Sequence, residues 1–252
     1  MRISVNLNSL YPNLTIEQFI QRIRPMGYDT LEIWGVAHQE IEELKALLDA
    51  YQMTLSCFCT HAFDLTGPNG QKEYLEKLEE AVEDAAFLNC RALLTQVGAD
   101  TGETRALQHS RIVDTLKKAA PILEKANVTL LVEPLNDVKD HKGYYLTSSA
   151  EGFEIIREVG SSHVRLLFDV YHQLMMGERV LDMIRPNMEW IGHFHVAATP
   201  NRDECLENNP EYAVLFEYLN RMGSRIPVGI ELFPKEEARS DAILMKLARY
   251  LG

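Results

Sequence analysis

A chain of 252 residues is long for one average domain and close to the size of a single eight-fold α/β barrel. Its 46% apolar and 25% charged residues are those of an ordinary globular enzyme. A formal net charge of −12 argues against nucleic acid as partner, because phosphates demand Lys and Arg; it leaves a small substrate open, since a cleft sets its own local charge.

The predicted elements alternate short β-rich runs with longer amphipathic segments, eight times. The first strand is ISVNL, Ile3 to Leu7. A helix follows from Thr15, with Gln18 at the capping-box position. Strand two is TLEIW, Thr30 to Trp34, followed by a helix through IEELKALLDAY. Strand three is MTLSCF, from Met53. The helix after it starts at Gln71 and spaces Leu75, Leu78, Val82, Ala85 and Ala86 three to four apart. Strand four is ALLTQV, around Leu93 to Gln96, and a long helix runs from about Glu103 to Lys125. Strands five to eight are TLLVE, VRLLFD, WIGHFHV and VGIE. Helices start near Ser149, Val180 and Tyr212, and the last covers Glu236 to Tyr250.

Nearly every strand is a continuous apolar run, as expected of parallel strands covered on both faces. Eight such repeats predict a single α/β domain over residues 1–252, a closed (β/α)8 TIM barrel. An open doubly wound sheet is the runner-up, and it lacks the Gly-x-Gly-x-x-Gly after strand one that would support it. No signal peptide or membrane span is expected, since no stretch approaches eighteen apolar residues; a cytoplasmic location follows. Cys57 and Cys59 share one face of a strand, Cys90 and Cys205 stand alone, and none makes a C-x-x-C pair, so all four are expected to be thiols.

Four of the strands end on a metal-competent side chain: Glu133, Asp169, His195 and Glu231, separated by 36, 26 and 36 residues. Each gap is about one strand plus one helix, so the four fall at equivalent ends of successive strands. Singly, each has a plain structural reading: a salt-bridged Glu, an Asp capping the next helix, or a satisfied core histidine from the pair His193 and His195. Together they form an oxygen-rich cradle, and three buried carboxylates need a counter-charge. Three carboxylates and one imidazole suit one divalent ion, Mn2+ first, with Mg2+, Co2+ or Zn2+ also able to bind. Such an ion polarises a carbonyl, and carboxylates beside it can take and return the proton of the adjacent carbon. That chemistry is an isomerase or epimerase working through a cis-enediolate. Asp169-x-x-His172 places His172 in the loop beyond its strand, and Arg202 lies in the long loop TPNRDE; both are candidates to hold substrate oxygens. Trp34, His61, Phe63, Gln96 and Tyr145 lie at or just past strand ends and could line the pocket.

At these residues the chain resembles the xylose-isomerase-like barrel superfamily, and within it the hydroxypyruvate isomerase family. The resemblance runs from VNLNSLYPNLTIEQFI to the last strand and is densest in LLVEPLN, GYYLTSSAEGFEIIREVGSSHVRLLFDVYHQLMMGE and GHFHVAATPNRDE. It implies that Glu133 and Glu231 bind metal and act as the catalytic acid/base pair, that Asp169 and His195 complete the metal shell, and that His172 and Arg202 contact substrate. The implied substrate is a small carbohydrate or keto acid, with neither nucleic acid nor membrane as partner; a homo-oligomer is compatible with the sequence. Three features depart from the hydroxypyruvate branch. His195 stands where that branch usually has Gln; a His there is the habit of ketose 3-epimerases. DECLENNPEYA replaces an E-P-G-x-G-E-I-N-Y-like run, and GIELFP follows the epimerase pattern.

Two rivals are weighed against this reading. An apurinic endonuclease-like enzyme needs further histidines at the ends of strands three and four. His61 could supply one, but strand four ends on Gln96. A non-catalytic sugar-binding barrel should have lost a ligand or an acid/base residue, and none is missing.

Overall fold

The computed structural model of the chain describes residues 1–35, 37, 40–236 and 238–250. Its strands are β1 (Ile3–Asn6), β2 (Thr30–Glu32), β3 (Thr54–Leu55), β4 (Phe58–Cys59), β5 (Ala92–Thr95), β6 (Thr129–Val132), β7 (Val164–Asp169), β8 (Ile191–Val196) and β9 (Val228–Ile230). All nine belong to one parallel sheet in the order β3-β2-β1-β9-β8-β7-β6-β5-β4. The first and last strands pair, Ile3 with Val228 and Val5 with Ile230, which an open doubly wound sheet does not do. β3 and β4 are two pieces of one predicted strand, interrupted at Ser56 and Cys57; β3 pairs with β2 and β4 with β5, so the ring closes through this stretch. The fold is a TIM barrel.

The helices follow the periodicity of the sequence. They are α1 (Leu7–Leu10), α2 (Ile16–Ile23), α3 (Ile41–Ala50), α4 (Gly70–Phe87), α5 (Arg105–Ala126), α6 (Ser149–Val159), α7 (Val170–Met175), α8 (Val180–Ile184), α9 (Pro210–Arg221) and α10 (Ala238–Leu247). The capping box at α2 is formed: the Gln18 amide N–H donates to Thr15 Oγ1 and the Thr15 N–H to Gln18 Oε1. The last predicted helix is shorter than expected and passes into a 3-10 turn at Ala248–Tyr250; Glu237, within the predicted range, lies outside the described residues. No described helix is long and apolar enough to cross a membrane. The four cysteines are free thiols.

Strand alternation sorts the side chains into two layers. In β8, Phe194 and Val196 join the large core between barrel and helices, while His193 and His195 face the barrel interior. In β7, Leu166 and Phe168 face outward, while Leu167 and Asp169 face inward. Cys57, Leu94, Leu131 and Leu167 form a separate cluster that fills the interior. Each buried leucine there contributes about 2 kcal/mol. This plug closes the barrel below and leaves its C-terminal mouth to the polar residues.

Candidate metal centre

Glu133, Asp169, His195 and Glu231 converge at the mouth. Glu133 and Glu231 directly follow β6 and β9, Asp169 ends β7 and His195 is the penultimate residue of β8; all are buried, and one ligand atom from each lies within 4.8 Å of the others. Asp169 and His195 are register partners across β7 and β8. His195 Nδ1 lies 3.5 Å from Glu133 Oε1 and 3.4 Å from Glu231 Oε2. Glu133 Oε1 and His195 Nδ1 are buried without a hydrogen-bond partner. Buried polar atoms are rarely left so. Two orphaned ligand atoms facing one another inside a set of three carboxylates fit a divalent cation.

The other face of His195 explains why Nδ1 is the atom presented. Its Nε2 donates to Glu32 Oε2 at 3.0 Å. Glu32, at the end of β2, also accepts from Ser4 Oγ and lies 2.7 Å from His193 Nε2. Burial penalises the Glu32 carboxylate, but His193 and His195 outweigh it and hold the group well below the usual range, so it stays an anion and an acceptor. A carboxylate behind a ligating imidazole fixes the ring and raises its basicity. Gly229, the register partner of His195, leaves the room: a Cβ there would stand 2.6 Å from Glu32 Oε1 and 2.7 Å from His195 Cδ2. His193, buried on the same inward face, meets Glu32 and does not join the group of Glu133, Asp169, His195 and Glu231. The sequence does not single out Glu32, whose only signal is an acid inside an otherwise apolar strand.

The two glutamates differ sharply. Burial, with Glu231 and Asp169 nearby, pushes Glu133 up to about 7 against the pull of His195. Glu231 is as deeply buried, but Arg202 and His195 hold it well below the usual carboxylate range. Arg202 Nη2 donates to Glu231 Oε2 at 2.5 Å and lies 3.9 Å from Asp169 Oδ2; Trp34 Nε1 donates to Glu231 Oε1 at 2.7 Å. Asp169 is raised, chiefly by burial. Burial works against protonated His195, yet Glu231 and Glu32 raise it well above the ordinary imidazole value. In the metal-free chain a proton on His195 and the Arg202 guanidinium supply the positive charge of the cradle.

The substrate candidates divide. Arg202 and Trp34 reach the cluster, as just described. Arg202 sits at a φ of 58°, a left-handed conformation costly for a side-chain-bearing residue, and its guanidinium lies over the rings of Tyr171 and Phe233. His172, expected in the loop beyond the strand, is the third residue of α7, and the Asp169 side chain caps that helix by accepting the His172 N–H. The Asn136 N–H donates to His172 Nδ1 at 3.1 Å, so the neutral ring carries its proton on Nε2. That Nε2 is buried without a hydrogen-bond partner, 3.5 Å from Asp169 Oδ2, and burial with Arg202 nearby keeps the ring neutral. Gln96 follows β5, half-buried. His61 is not brought to the cluster: it is exposed and lies 3.5 Å from Asp84 and 3.9 Å from Glu80 of α4. Tyr145 is packing, its hydroxyl bonded to Arg105 O and Glu151 Oε1. Phe63 is exposed. His141, in the loop after β6, was not singled out by sequence; its ring packs edge-on against His172 at 5.3 Å.

Comparison with known proteins gives the kinship. Among curated relatives, the hydroxypyruvate isomerase of Escherichia coli K12 is 25% identical over 93% of this chain and 94% of its own. The 2-oxo-tetronate isomerase of Cupriavidus necator is 26% identical over 100% of this chain and 99% of its own. Among solved structures, a family 2 AP endonuclease from Brucella melitensis superposes with a TM-score of 0.91 at 22% identity, covering 99% of both chains. D-psicose 3-epimerase from Clostridium cellulolyticum, solved with D-tagatose, gives 0.81 at 18% identity, covering 100% of this chain and 97% of that one. At such identities these structures speak for the fold alone. The model of one family, described as xylose isomerase-like TIM barrel, matches residues 20–248. The chain belongs to that family.

Proposed function

We propose that this protein is a divalent-metal-dependent isomerase or epimerase that moves a proton between substrate faces or adjacent carbons of a small hydroxy-carbonyl compound: a ketose, a keto sugar acid or hydroxypyruvate. The observation that carries the reading is the convergence of three buried carboxylates and His195 in one ligand cluster, with Glu133 and Glu231 on opposite sides of the His195 Nδ1 atom. The names of the relatives, hydroxypyruvate isomerase and 2-oxo-tetronate isomerase, support it.

Glu133, Asp169, His195 and Glu231 are the residues that would hold the ion, with Mn2+ the best match to three carboxylates and one imidazole. Once bound, the ion supplies Lewis-acid polarisation of the substrate carbonyl. Glu231, deprotonated, takes the proton from the carbon beside that carbonyl, leaving an enediolate. Glu133, across the cluster from Glu231, returns a proton. Delivery to the neighbouring carbon isomerises; delivery to the opposite face of the same carbon epimerises. His172 offers its buried Nε2–H to a substrate oxygen, and Arg202 offers guanidinium donors. Trp34 and Phe233, ring centroids 6.3 Å apart at the rim, give the apolar side of a sugar a surface. His195 and the GIELFP strand favour a longer keto sugar over hydroxypyruvate. The free cysteines accord with a reducing, cytoplasmic setting. The test is conversion of a panel of ketoses, keto sugar acids and hydroxypyruvate with Mn2+. At least one is converted, and chelation stops the reaction; a panel with no conversion contradicts the reading.

A further inference from the structure

The opposite end of the barrel carries a feature that the chemistry at the mouth does not use. Arg2 precedes β1, Arg91 precedes β5, Arg165 is the second residue of β7, and Arg225 lies shortly before β9. The fold gathers these four around one cavity of about 570 Å3, whose lining contains a single acid, Glu189. In a chain of net charge −12, four guanidiniums against one carboxylate is a local inversion of sign. None of the four is ion-paired with a described carboxylate; Arg165 donates only to the backbone carbonyl of Glu189. Arg2, Arg91 and Arg225 are exposed.

Arg165 is placed with particular care. It shares the inward face of β7 with Leu167 and Asp169, so it points to the barrel axis, half-buried. Gly192 of β8 clears its path: a Cβ there would stand 2.6 Å from Leu131 Cδ2 and 3.1 Å from Arg165 Cβ. The apolar plug of Leu94, Leu131 and Leu167 lies between Arg165 and the metal cradle, so the floor and the mouth are separate sites.

We propose that this floor is a second binding site, for a compact small molecule carrying two or more phosphate groups. Guanidinium forks match phosphate oxygens in pairs, and unpaired arginines converging on one concavity suit more than one such group. The volume lies in the range of small-ligand sites. An extended polyanion is disfavoured, because the rest of an acidic chain repels whatever projects beyond the cavity.

Helix C-termini also deliver partial negative charge to this end of a barrel, and cations there can serve stability alone. The two roles separate by titration calorimetry of the metal-loaded protein at low salt. The probe is adenosine 3′,5′-bisphosphate, with adenosine as the uncharged control. The site takes up one bisphosphate per chain and no adenosine. Binding weakens about tenfold or more in the Arg91→Gln/Arg225→Gln double variant and is unchanged in Arg202→Gln, which alters the mouth. Absence of saturable binding overturns the proposal. So does equal binding by the double variant, or loss of binding in Arg202→Gln. A double variant that only melts earlier, with no bisphosphate bound by the parent protein, assigns the arginines to stability.

Discussion

Glu32 Oε2 accepts a hydrogen bond from His195 Nε2 at 3.0 Å, and this one contact decides which nitrogen of His195 faces the other ligands. It spans 163 residues of sequence and joins β2 to β8 across the barrel. The imidazole is pinned from behind, so the lone pair needed for a metal lies at Nδ1, beside Glu133 and Glu231.

Replacing Glu32 by Gln keeps the shape of the side chain and removes its charge. Second-sphere changes of this kind lower metal affinity about 10- to 100-fold. A chelator-competition titration with Mn2+ reads this without any substrate. Undiminished affinity in Glu32→Gln means that His195 needs no carboxylate behind it.

Trp34→Phe removes the indole N–H that Glu231 accepts at 2.7 Å. A hydrogen bond to a charged group contributes about 1.5–3 kcal/mol, and the exposed position of Trp34 places the effect at the lower end. Glu231 then holds its proton more tightly. The acid limb of the kcat/KM profile moves to higher pH, and activity below the optimum falls several-fold. A profile that keeps its shape assigns Trp34 to the rim alone.

Glu133 gives a pH signature of the metal-free protein. Its proton affinity is raised on folding, chiefly by burial, from 4.5 to about 7. Between those values the folded chain holds a proton that the unfolded chain has released, so stability from this group falls as pH rises through that window. The group cannot titrate in Glu133→Gln. The metal-free variant therefore gains on the parent between pH 4.5 and 7, by an amount on the order of a few kcal/mol. Melting curves across that range measure the gap. A variant-minus-parent difference that stays constant, or that falls as pH rises, contradicts the placement of Glu133.

Much of this was legible before folding, and the reasons are physical. Parallel strands buried on both faces become uninterrupted apolar runs, so LLV before Glu133 and LLF before Asp169 announce both a strand and the polar residue that ends it. The break of strand three at Ser56 and Cys57 left no such mark, and α1 and α7, at four and six residues, are too short to show a helical period. His193 and His195 both face inward and both meet Glu32, which lies on a distant strand; only the fold shows that His195 Nδ1 is the nitrogen beside Glu133 and Glu231. Arg2, Arg91, Arg165 and Arg225 are dispersed along the chain and become a patch only when the strands close into a ring. His61 sits at a suggestive strand end, but its ring turns to the carboxylates of α4, which offer a charge partner.

The central claim is proton transfer by Glu133 and Glu231, and incorporation of solvent deuterium into substrate measures it directly. The assay incubates the Mn2+-loaded protein in D2O with the ketoses, keto sugar acids and hydroxypyruvate, and follows carbon-bound deuterium by NMR. The account predicts deuterium at the carbon next to the carbonyl of at least one compound, and a loss of about 100-fold or more in Glu133→Gln and in Glu231→Gln. No exchange with any compound, or exchange that survives in both variants, would contradict it.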